Sequence, residues 1–316
     1  MELVNYKEQL EFKGKGGEYF GIVVVNWLLT LVTLGFYYPW AKAKQLKYLY
    51  GETSLRNDPF AFHGTGKEMF VGFIKAIVVF GLLYGLFFLF IYLGMPSIAI
   101  LVLYAGLIAI LPIAIHGSYR YRMSRTSWRG IRFGYRGNRV EFTKKFFKWV
   151  FFTIITFGFY GAWFAINVRN YVLSNIRFGN LKVQYKGNGG DFFVMNLIGY
   201  LLSIVTFGIY SFWWQKNLFA YYVDNLSVED GERKIKLKSL ATGGDFFALL
   251  IVNMLIIVFT FGLGYAWVVC RTMHFIFNKI ELTGDIDLNR ISQTEDKFTD
   301  ATGEDIGDFL DLDLII

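Results

Sequence analysis

This chain has little of what disulfide-linked, metal-binding and charge-rich proteins need. It contains one cysteine, three histidines and four prolines in 316 residues. The single cysteine, Cys270, excludes an internal disulfide, a cysteine-ligated zinc site and a CxxC redox pair. Charged residues make up only 18% of the chain, against roughly a quarter in ordinary soluble domains. The composition therefore argues against a disulfide scaffold and a nucleic-acid-binding domain.

Apolar and aromatic residues are abundant instead. They account for 54% and 20% of the chain, the mean hydropathy is +0.40 and the formal net charge is +7. A large soluble core of buried helices would need more charged residues to cover it than this chain has. The composition favours a membrane protein.

Five stretches contain no Asp, Glu, Lys or Arg, and each is at least 20 residues long. They are 19–41, 76–115, 149–168, 192–215 and 246–270. A helix of roughly 20 apolar residues crosses a bilayer core of about 30 Å, so four stretches fit one crossing each. Gly94 and Pro96 divide the longest stretch into two. The sequence therefore predicts an all-α polytopic membrane protein with about six transmembrane helices, separated by short β-like segments and glycine turns.

Two motifs recur along the chain. One is a run, mostly glycine-rich, that leads to an acidic residue, and its five copies start near residues 12, 62, 135, 185 and 239. Where both occur, the acid precedes the threonine of the other motif by fifteen positions. The other motif places threonine two residues before glycine and seven before tryptophan. It has four copies: Thr33, Gly35 and Trp40; Thr156, Gly158 and Trp163; Thr206, Gly208 and Trp213; Thr260, Gly262 and Trp267. This register predicts a repeat-built membrane domain over 1–291, followed by an acidic tail over 292–316.

The acidic residue of each glycine-rich run is predicted to lie in the first turn of a helix. There a carboxylate faces the positive end of the helix dipole and accepts hydrogen bonds from free N–H groups. These residues are Glu18, Glu68, Glu141, Asp191 and Asp245.

The Thr-x-Gly motif has two interpretations. The threonine hydroxyl bonds back to a helical carbonyl and the glycine permits a kink or a close helix approach, which makes the motif a packing device. Alternatively, the motif is a hairpin turn that keeps all the glycine runs on one side of the membrane. Six crossings are favoured, because hairpins would carry Lys42, Lys44 and Lys47 toward hydrocarbon, at about 2.5–3.5 kcal/mol each at the helix centre.

Polar side chains are sparse in the apolar stretches, which makes the few present candidate site residues. Asn26, Asn196 and Asn253 either bond between helices or line a polar path. A basic segment between the third and fourth predicted spans suits a cytoplasmic loop or a patch for anionic lipid. Its candidate residues are Arg120, Arg122, Arg125, Arg129 and Arg132. The predicted partners are the bilayer and its anionic headgroups, with a small solute as a further candidate and no nucleic acid.

No pattern of side chains predicts catalysis. His63, His116 and His274 are far apart in the sequence, and no Ser-His-Asp, HExxH or paired-acid pattern occurs. We therefore predict no catalytic, metal or cofactor site. Repeated spans with asparagines and glycine-broken helices favour a transporter- or channel-like protein. A membrane-organising or anionic-lipid-binding scaffold is the alternative.

Three segments resemble the YjgN family, also called DUF898. They are 16–20 (GGEYF), 30–42, which contains TLGFYYPWAK, and 60–64 (FAFHG); the tail 303–314 is also similar to the C-terminus of that family. The resemblance covers nearly the whole chain. It implies a multi-pass protein of the bacterial inner membrane and carries over no activity.

Overall fold

The fold repeats one order of elements five times: a strand, a helix, a short turn, a second helix and a second strand. The structure, a computed structural model, describes residues 6–231, 233–284 and 291–294. The helices of these residues are α1 Gly16–Val32, α2 Tyr38–Gly51, α3 Gly66–Tyr92, α4 Pro96–Ser124, α5 Arg139–Ile155, α6 Gly161–Ser174, α7 Gly189–Val205, α8 Ser211–Asp224, α9 Gly243–Phe259 and α10 Tyr265–Asn278. The strands are β1 Tyr6–Phe12, β2 Thr53–Leu55, β3 Asp58–Phe62, β4 Thr126–Trp128, β5 Ile131–Tyr135, β6 Ile176–Phe178, β7 Leu181–Tyr185, β8 Leu226–Asp230, β9 Arg233–Ser239 and β10 Ile280–Gly284.

The strands form a closed antiparallel barrel. Successive strands pair in sequence order from β2 to β10, and β1 closes the ring by pairing with both β2 and β10. Tight turns such as those at Arg56 and Gly179 join the strands at one end, here called the turn end. The helices leave and return at the opposite end, the helix end. Trp128, Phe178 and Leu181 are among the side chains that fill the barrel interior.

The helices form a ring of five hairpins above the barrel. The two helices of each hairpin pack together, and each hairpin packs on the next through α2 with α3, α4 with α5, α6 with α7 and α8 with α9. Contact between α10 and α1 closes the ring. All five hairpin turns therefore lie at the end of the ring that faces away from the barrel.

The prediction of a six-helix all-α membrane protein is wrong. The stretches 19–41, 149–168, 192–215 and 246–270 each contain a reversal of the chain, so none of them is one straight crossing. The β-like segments are strands of one barrel, which the sequence prediction did not foresee. The hairpin interpretation, which the sequence analysis ranked second, describes the course of the chain.

Two helices of the described residues are long and apolar enough to cross a membrane. They are α3 and α4, with 27 and 29 residues, which form the second hairpin. The apolar helices α1, α7 and α9 have 17 residues each. The second hairpin therefore extends well beyond the four others.

Candidate membrane-insertion site

The four Thr-x-Gly motifs form the turns of the four short hairpins. In the first, the Thr33 hydroxyl donates to the carbonyl oxygen of Leu29 at 2.7 Å and accepts the N–H of Tyr37 at 2.9 Å. Leu34 and Gly35 adopt left-handed conformations, with φ of 51° and 94°. A left-handed pair ends a helix, and the threonine hydroxyl then holds the start of the returning helix. Thr156, Thr206 and Thr260 repeat both hydrogen bonds.

The residue between threonine and glycine is a large apolar one, and its side chain points away from the protein. Leu34 is 89% exposed, and Phe157, Phe207 and Phe261 are 95%, 98% and 95% exposed. A bulky residue in the left-handed region costs roughly 1–2 kcal/mol relative to the usual backbone, so the position is not chosen for stability in water. We call these four residues and their turns the tips. Four apolar tips on one rim are an arrangement that suits a hydrocarbon surrounding.

The charged residues nearest to the four short tips lie at similar distances from them. The nearest are Lys42, Lys148, Lys216 and Arg271, each seven to ten residues from the turn glycine of its hairpin. At 1.5 Å per residue this is about 10–15 Å, which is half of a bilayer core of about 30 Å. In the long hairpin no charged residue occurs from 76 to 119, and Lys75 lies about 28 Å from the turn at Gly94. The short hairpins match one leaflet and the long hairpin matches the whole bilayer.

The tryptophan of each short hairpin packs against the glycine-rich run of the next unit. A Cβ atom on Gly66 would overlap the ring of Trp40, and one on Gly16 would overlap that of Trp267. Trp163 with Gly189 and Trp213 with Gly243 repeat the contact. The two motifs therefore interlock neighbouring hairpins around the ring.

The five predicted helix-capping acids all lie in the first turn of a helix at the barrel side of the ring. Glu68 and Asp245 complete reciprocal caps with Thr65 and Thr242. Glu141 accepts a hydrogen bond from Lys145 at 2.7 Å. Glu18 and Asp191 have the same place in α1 and α7.

At the same level, a tyrosine hydroxyl makes two hydrogen bonds to the backbone of one residue. We call this arrangement the tyrosine clamp, and it was not predicted from the sequence. The Tyr171 hydroxyl accepts the N–H of Asn138 at 3.1 Å and donates to its carbonyl oxygen at 3.0 Å. Tyr48 and Tyr221 do the same with Lys15 and Asn188. In each case the tyrosine follows its partner by 33 residues, and that recurring spacing was the available signal.

The three candidate asparagines bond within their own hairpins or helices. Asn26, only 1% exposed, donates to the carbonyl oxygen of Ala41 at 3.3 Å. Asn253 donates to the Thr272 hydroxyl at 3.1 Å, and Asn196 to a carbonyl oxygen of its own helix. The structure therefore gives each amide a partner in its own hairpin or helix, and it ties Asn26 and Asn253 to the opposite arm of their hairpins.

The five candidate arginines are divided between the two ends of the barrel. Arg120 and Arg122 lie in the last turns of α4, where Arg122 is buried, and Arg125 forms an ion pair with Glu68 at 3.1 Å. Arg129 and Arg132 belong to the turn end, which is the side of the barrel away from the ring. They do not form one basic loop.

His63 lies beside this basic region. Its Nε2 atom lies 2.8 Å from the hydroxyl oxygen of Ser127. This contact links the residue that follows β3 to β4. Partial burial and the nearby charges of Arg132, Lys47 and Arg125 hold the pKa of His63 below its usual value. The neutral imidazole is therefore the form that the folded protein favours.

The chain is a mixed α and β protein in which a closed β-barrel carries a ring of helical hairpins with an apolar rim. The chain belongs to the DUF898 family, described as "Bacterial protein of unknown function (DUF898)", whose profile matches residues 7–184, 180–232 and 214–309. The resemblance seen in the sequence is thereby confirmed.

Three proteins called "Inner membrane protein YjgN" are similar to this chain. The one from Salmonella typhimurium (strain LT2) is 39% identical over 132 residues, which is 42% of this chain and 32% of that protein. Those of Escherichia coli O157:H7 and strain K12 are 35% and 33% identical, over 39% and 45% of this chain and 30% and 33% of their own lengths. Each match spans about a third of the relative. No solved structure matches.

Proposed function

We propose that this chain is a protein of the bacterial inner membrane that organises lipid by inserting four short hairpins into one leaflet and one long hairpin across the bilayer. The observation that carries the proposal is the similar distance, seven to ten residues, between each short tip and the nearest charged residue. Names of the relatives support the location, since all three are inner membrane proteins. The chain would then cross the membrane twice, through α3 and α4.

The barrel lies on the cytoplasmic side in this proposal. Every Lys and Arg among the residues that the structure describes lies on the barrel side of the tips, and the turn of the long hairpin carries no charge. The positive-inside rule assigns such a charge distribution to the cytoplasm. Both β1 and the arginines of β4–β5 belong to the same barrel, so they lie on one side of the membrane.

Cysteine labelling tests depth and orientation together, in a Cys270→Ala background. We expect a membrane-impermeant maleimide to label Ser97→Cys at the long turn in spheroplasts, and Lys236→Cys on the barrel only after permeabilisation. Phe207→Cys at a short tip should resist labelling until detergent is added. Labelling of Phe207→Cys together with Ser97→Cys would show that short hairpins cross, and would overturn the proposal.

Anionic headgroups are the partners proposed at the level where charge begins. Helix α5 exposes Lys144 and Lys148 there, whereas α7 exposes Val194 and Ile198 at the equivalent positions. Ammonium groups near the membrane surface gain roughly 1 kcal/mol each from anionic lipid. Retention of anionic lipid on the purified protein should fall in the double variant Lys144→Gln/Lys148→Gln and stay unchanged in Lys236→Gln on the barrel. Equal retention by both variants would contradict this assignment.

A transporter-like function is the second candidate, and one observation favours it. The Oδ1 atoms of Asn26 and Asn253 and the Oγ atom of Ser203 are buried at the level of the ring and accept no hydrogen bond from the described residues. Buried polar oxygens of this kind are sites for internal water. Solute flux through vesicles should then drop in Asn26→Leu/Asn253→Leu with the fold intact, and unchanged flux would remove this candidate.

A further inference from the structure

Neighbouring hairpins of the described residues meet at five seams, and in four of them an indole covers a glycine. A seam is here the contact between the second helix of one hairpin and the first helix of the next. In three of the four, a phenylalanine four residues after the glycine also contacts the tryptophan, with 4.8–5.5 Å between ring centroids. A Cβ atom on the glycine would lie 2.3–2.5 Å from the indole in all four pairs: Gly16 with Trp267, Gly66 with Trp40, Gly189 with Trp163, and Gly243 with Trp213. Aromatic packing therefore seals four seams.

One shared hydrogen bond identifies the corresponding positions of the fifth seam, between α4 and α5. His116 Nε2 lies 2.9 Å from the carbonyl oxygen of Gly137, just as His274 Nε2 lies 3.0 Å from that of Gly14. The seam between α6 and α7 repeats the contact with an asparagine. In these sealed seams the tryptophan comes seven residues before the bonding side chain, and the covered glycine comes two residues after the bonding carbonyl. The same counts apply to α4 and α5.

The fifth seam has none of the three sealing residues. Ala109 replaces the tryptophan, Arg139 replaces the glycine, and Thr143 replaces the phenylalanine. Ala109 and Arg139 are exposed, and so is Ala105 one turn further along α4. We call this contact the open seam. Small apolar side chains form one wall of it, and a guanidinium group lies at its base.

The positive charge at the base of the open seam is not balanced by the neighbouring elements. No Asp or Glu occurs from 69 to 140, so α4, β4 and β5 bring no carboxylate to the seam. Glu141, two residues after Arg139, forms an ion pair with Lys145 at 2.7 Å. The charge of Arg139 therefore favours an anion at this place.

The open seam lies at the headgroup level of the proposed membrane arrangement. Ala109 is fifteen residues from the long turn at Gly94, which is about 22 Å along the helix. Lys75, the charged residue of α3 nearest to that turn, is about 28 Å from it. Arg139 begins α5 beside Ala109, so its guanidinium group can reach the headgroups while its stem contacts apolar side chains.

We propose that the open seam binds one anionic phospholipid, whose phosphate is held by Arg139 and whose acyl chain lies over Ala105 and Ala109. A guanidinium group forms two parallel hydrogen bonds with a phosphate, which makes arginine suited to this role. The sealed seams cannot accept the acyl chain, because an indole occupies the equivalent place. This inference rests on the proposed insertion of the hairpins into lipid, and it adds one defined site to the general attraction of headgroups by the lysines of α5.

Native mass spectrometry of the full chain in detergent tests the site, with phosphatidylglycerol and phosphatidylethanolamine of equal acyl length as probes. We expect one phosphatidylglycerol per chain to bind about fivefold or more tightly than phosphatidylethanolamine, whose ammonium group cancels the charge of its phosphate. Arg139→Gln should weaken that binding by about fivefold or more. Arg271→Gln is the matched control, since Arg271 is exposed beside a sealed seam, and it should leave the affinity unchanged. Equal affinity of Arg139→Gln and the wild-type protein would overturn the proposal.

Closing the open seam is the second test. Ala109→Trp/Arg139→Gly installs the indole and the glycine of the other seams, and it should abolish the tight phosphatidylglycerol site. An unchanged affinity in this folded variant would also overturn the proposal. If the double variant does not fold, Arg139→Gln still decides, because it changes one exposed side chain.

The failure of this site and the failure of the proposed function are recognised separately. Cysteine labelling at Ser97 and Phe207 measures insertion and does not depend on Arg139. The variant Lys144→Gln/Lys148→Gln should lower the total amount of retained anionic lipid and leave the tight site in place. Loss of the tight site in that variant, with Arg139→Gln unaffected, would assign the lipid to the lysines and overturn the open seam.

Discussion

The indole of Trp267, in the last hairpin, lies directly over the α-carbon of Gly16, in the first. This contact closes the ring of helices, and three equivalent pairs join hairpins elsewhere. The third unit is informative because its glycine-rich run has Arg139 in place of the second glycine. The preceding hairpin, α3–α4, contains no tryptophan. The glycine is therefore present where an indole must be accommodated and replaced where there is none.

We expect Gly16→Ala to destabilise the protein by about 1–3 kcal/mol, because its methyl group has to displace the indole of Trp267. Gly17→Ala is the matched control, since a Cβ there meets no atom within 4 Å. Thermal unfolding of the two variants measures the difference. Equal unfolding temperatures would contradict the importance of the interlock.

The tips provide a second prediction. Gly158 has φ of 92° and open space around it, so Gly158→Ala adds strain without a clash. The expected loss of stability is about 1–2 kcal/mol. Gly161→Ala, at the start of α6 and also in open space, should change stability by less than about 1 kcal/mol. If both substitutions had the same effect, the left-handed turn would not be what holds the hairpin.

The tyrosine clamp predicts that removal of a single hydroxyl group lowers the stability of the protein. Tyr171→Phe removes both hydrogen bonds to Asn138 and should destabilise the protein by about 0.5–1.5 kcal/mol. Tyr200→Phe serves as the control, because Tyr200 is exposed on α7. Chemical denaturation in detergent compares them, and a neutral Tyr171→Phe would show that the clamp contributes nothing.

His63 makes the stability depend on pH. Its pKa in the folded protein is below the value of 6.5 that applies in the unfolded chain. As the pH falls below about 6.5, the unfolded chain takes up a proton that the folded protein does not, so stability decreases until the folded pKa is passed. Between pH 7.5 and 5.5, His63→Gln should therefore lose less of its Tm than the wild-type protein. An identical loss in both proteins would rule out this contribution.

Local features of the fold were predictable from the sequence, and the reversal of the chain was not. The spacing between Glu18 and Thr33 revealed the common register of the units, and the acids lie where a helix dipole favours them. Six crossings were preferred because of the cost of carrying Lys44 into hydrocarbon. In the structure the Lys44 ammonium donates to the Tyr37 hydroxyl at 2.7 Å, and it lies more than half a leaflet from the tip. The cost assumed for the bilayer centre therefore did not apply.

The barrel could not be predicted either, for a reason different from the one that concealed the hairpins. Strands such as Thr53–Leu55 have three residues, which is too short for an alternating pattern to be visible. Their stability comes from pairing with partners that are distant in sequence, as when Gln9 meets Glu281. The ion pair between Glu8 and Arg56 depends on the same closure.

The pairing of β1 with β10 also affects biosynthesis. The first strand leaves the ribosome long before its partner is translated, so its edge is incomplete while five hairpins are still being made. In the membrane arrangement proposed above, the hairpins therefore enter lipid before the barrel beneath them can close. Slowing translation ahead of β10 should prolong the lifetime of an inserted but open intermediate, whose β1 edge remains available to chaperones.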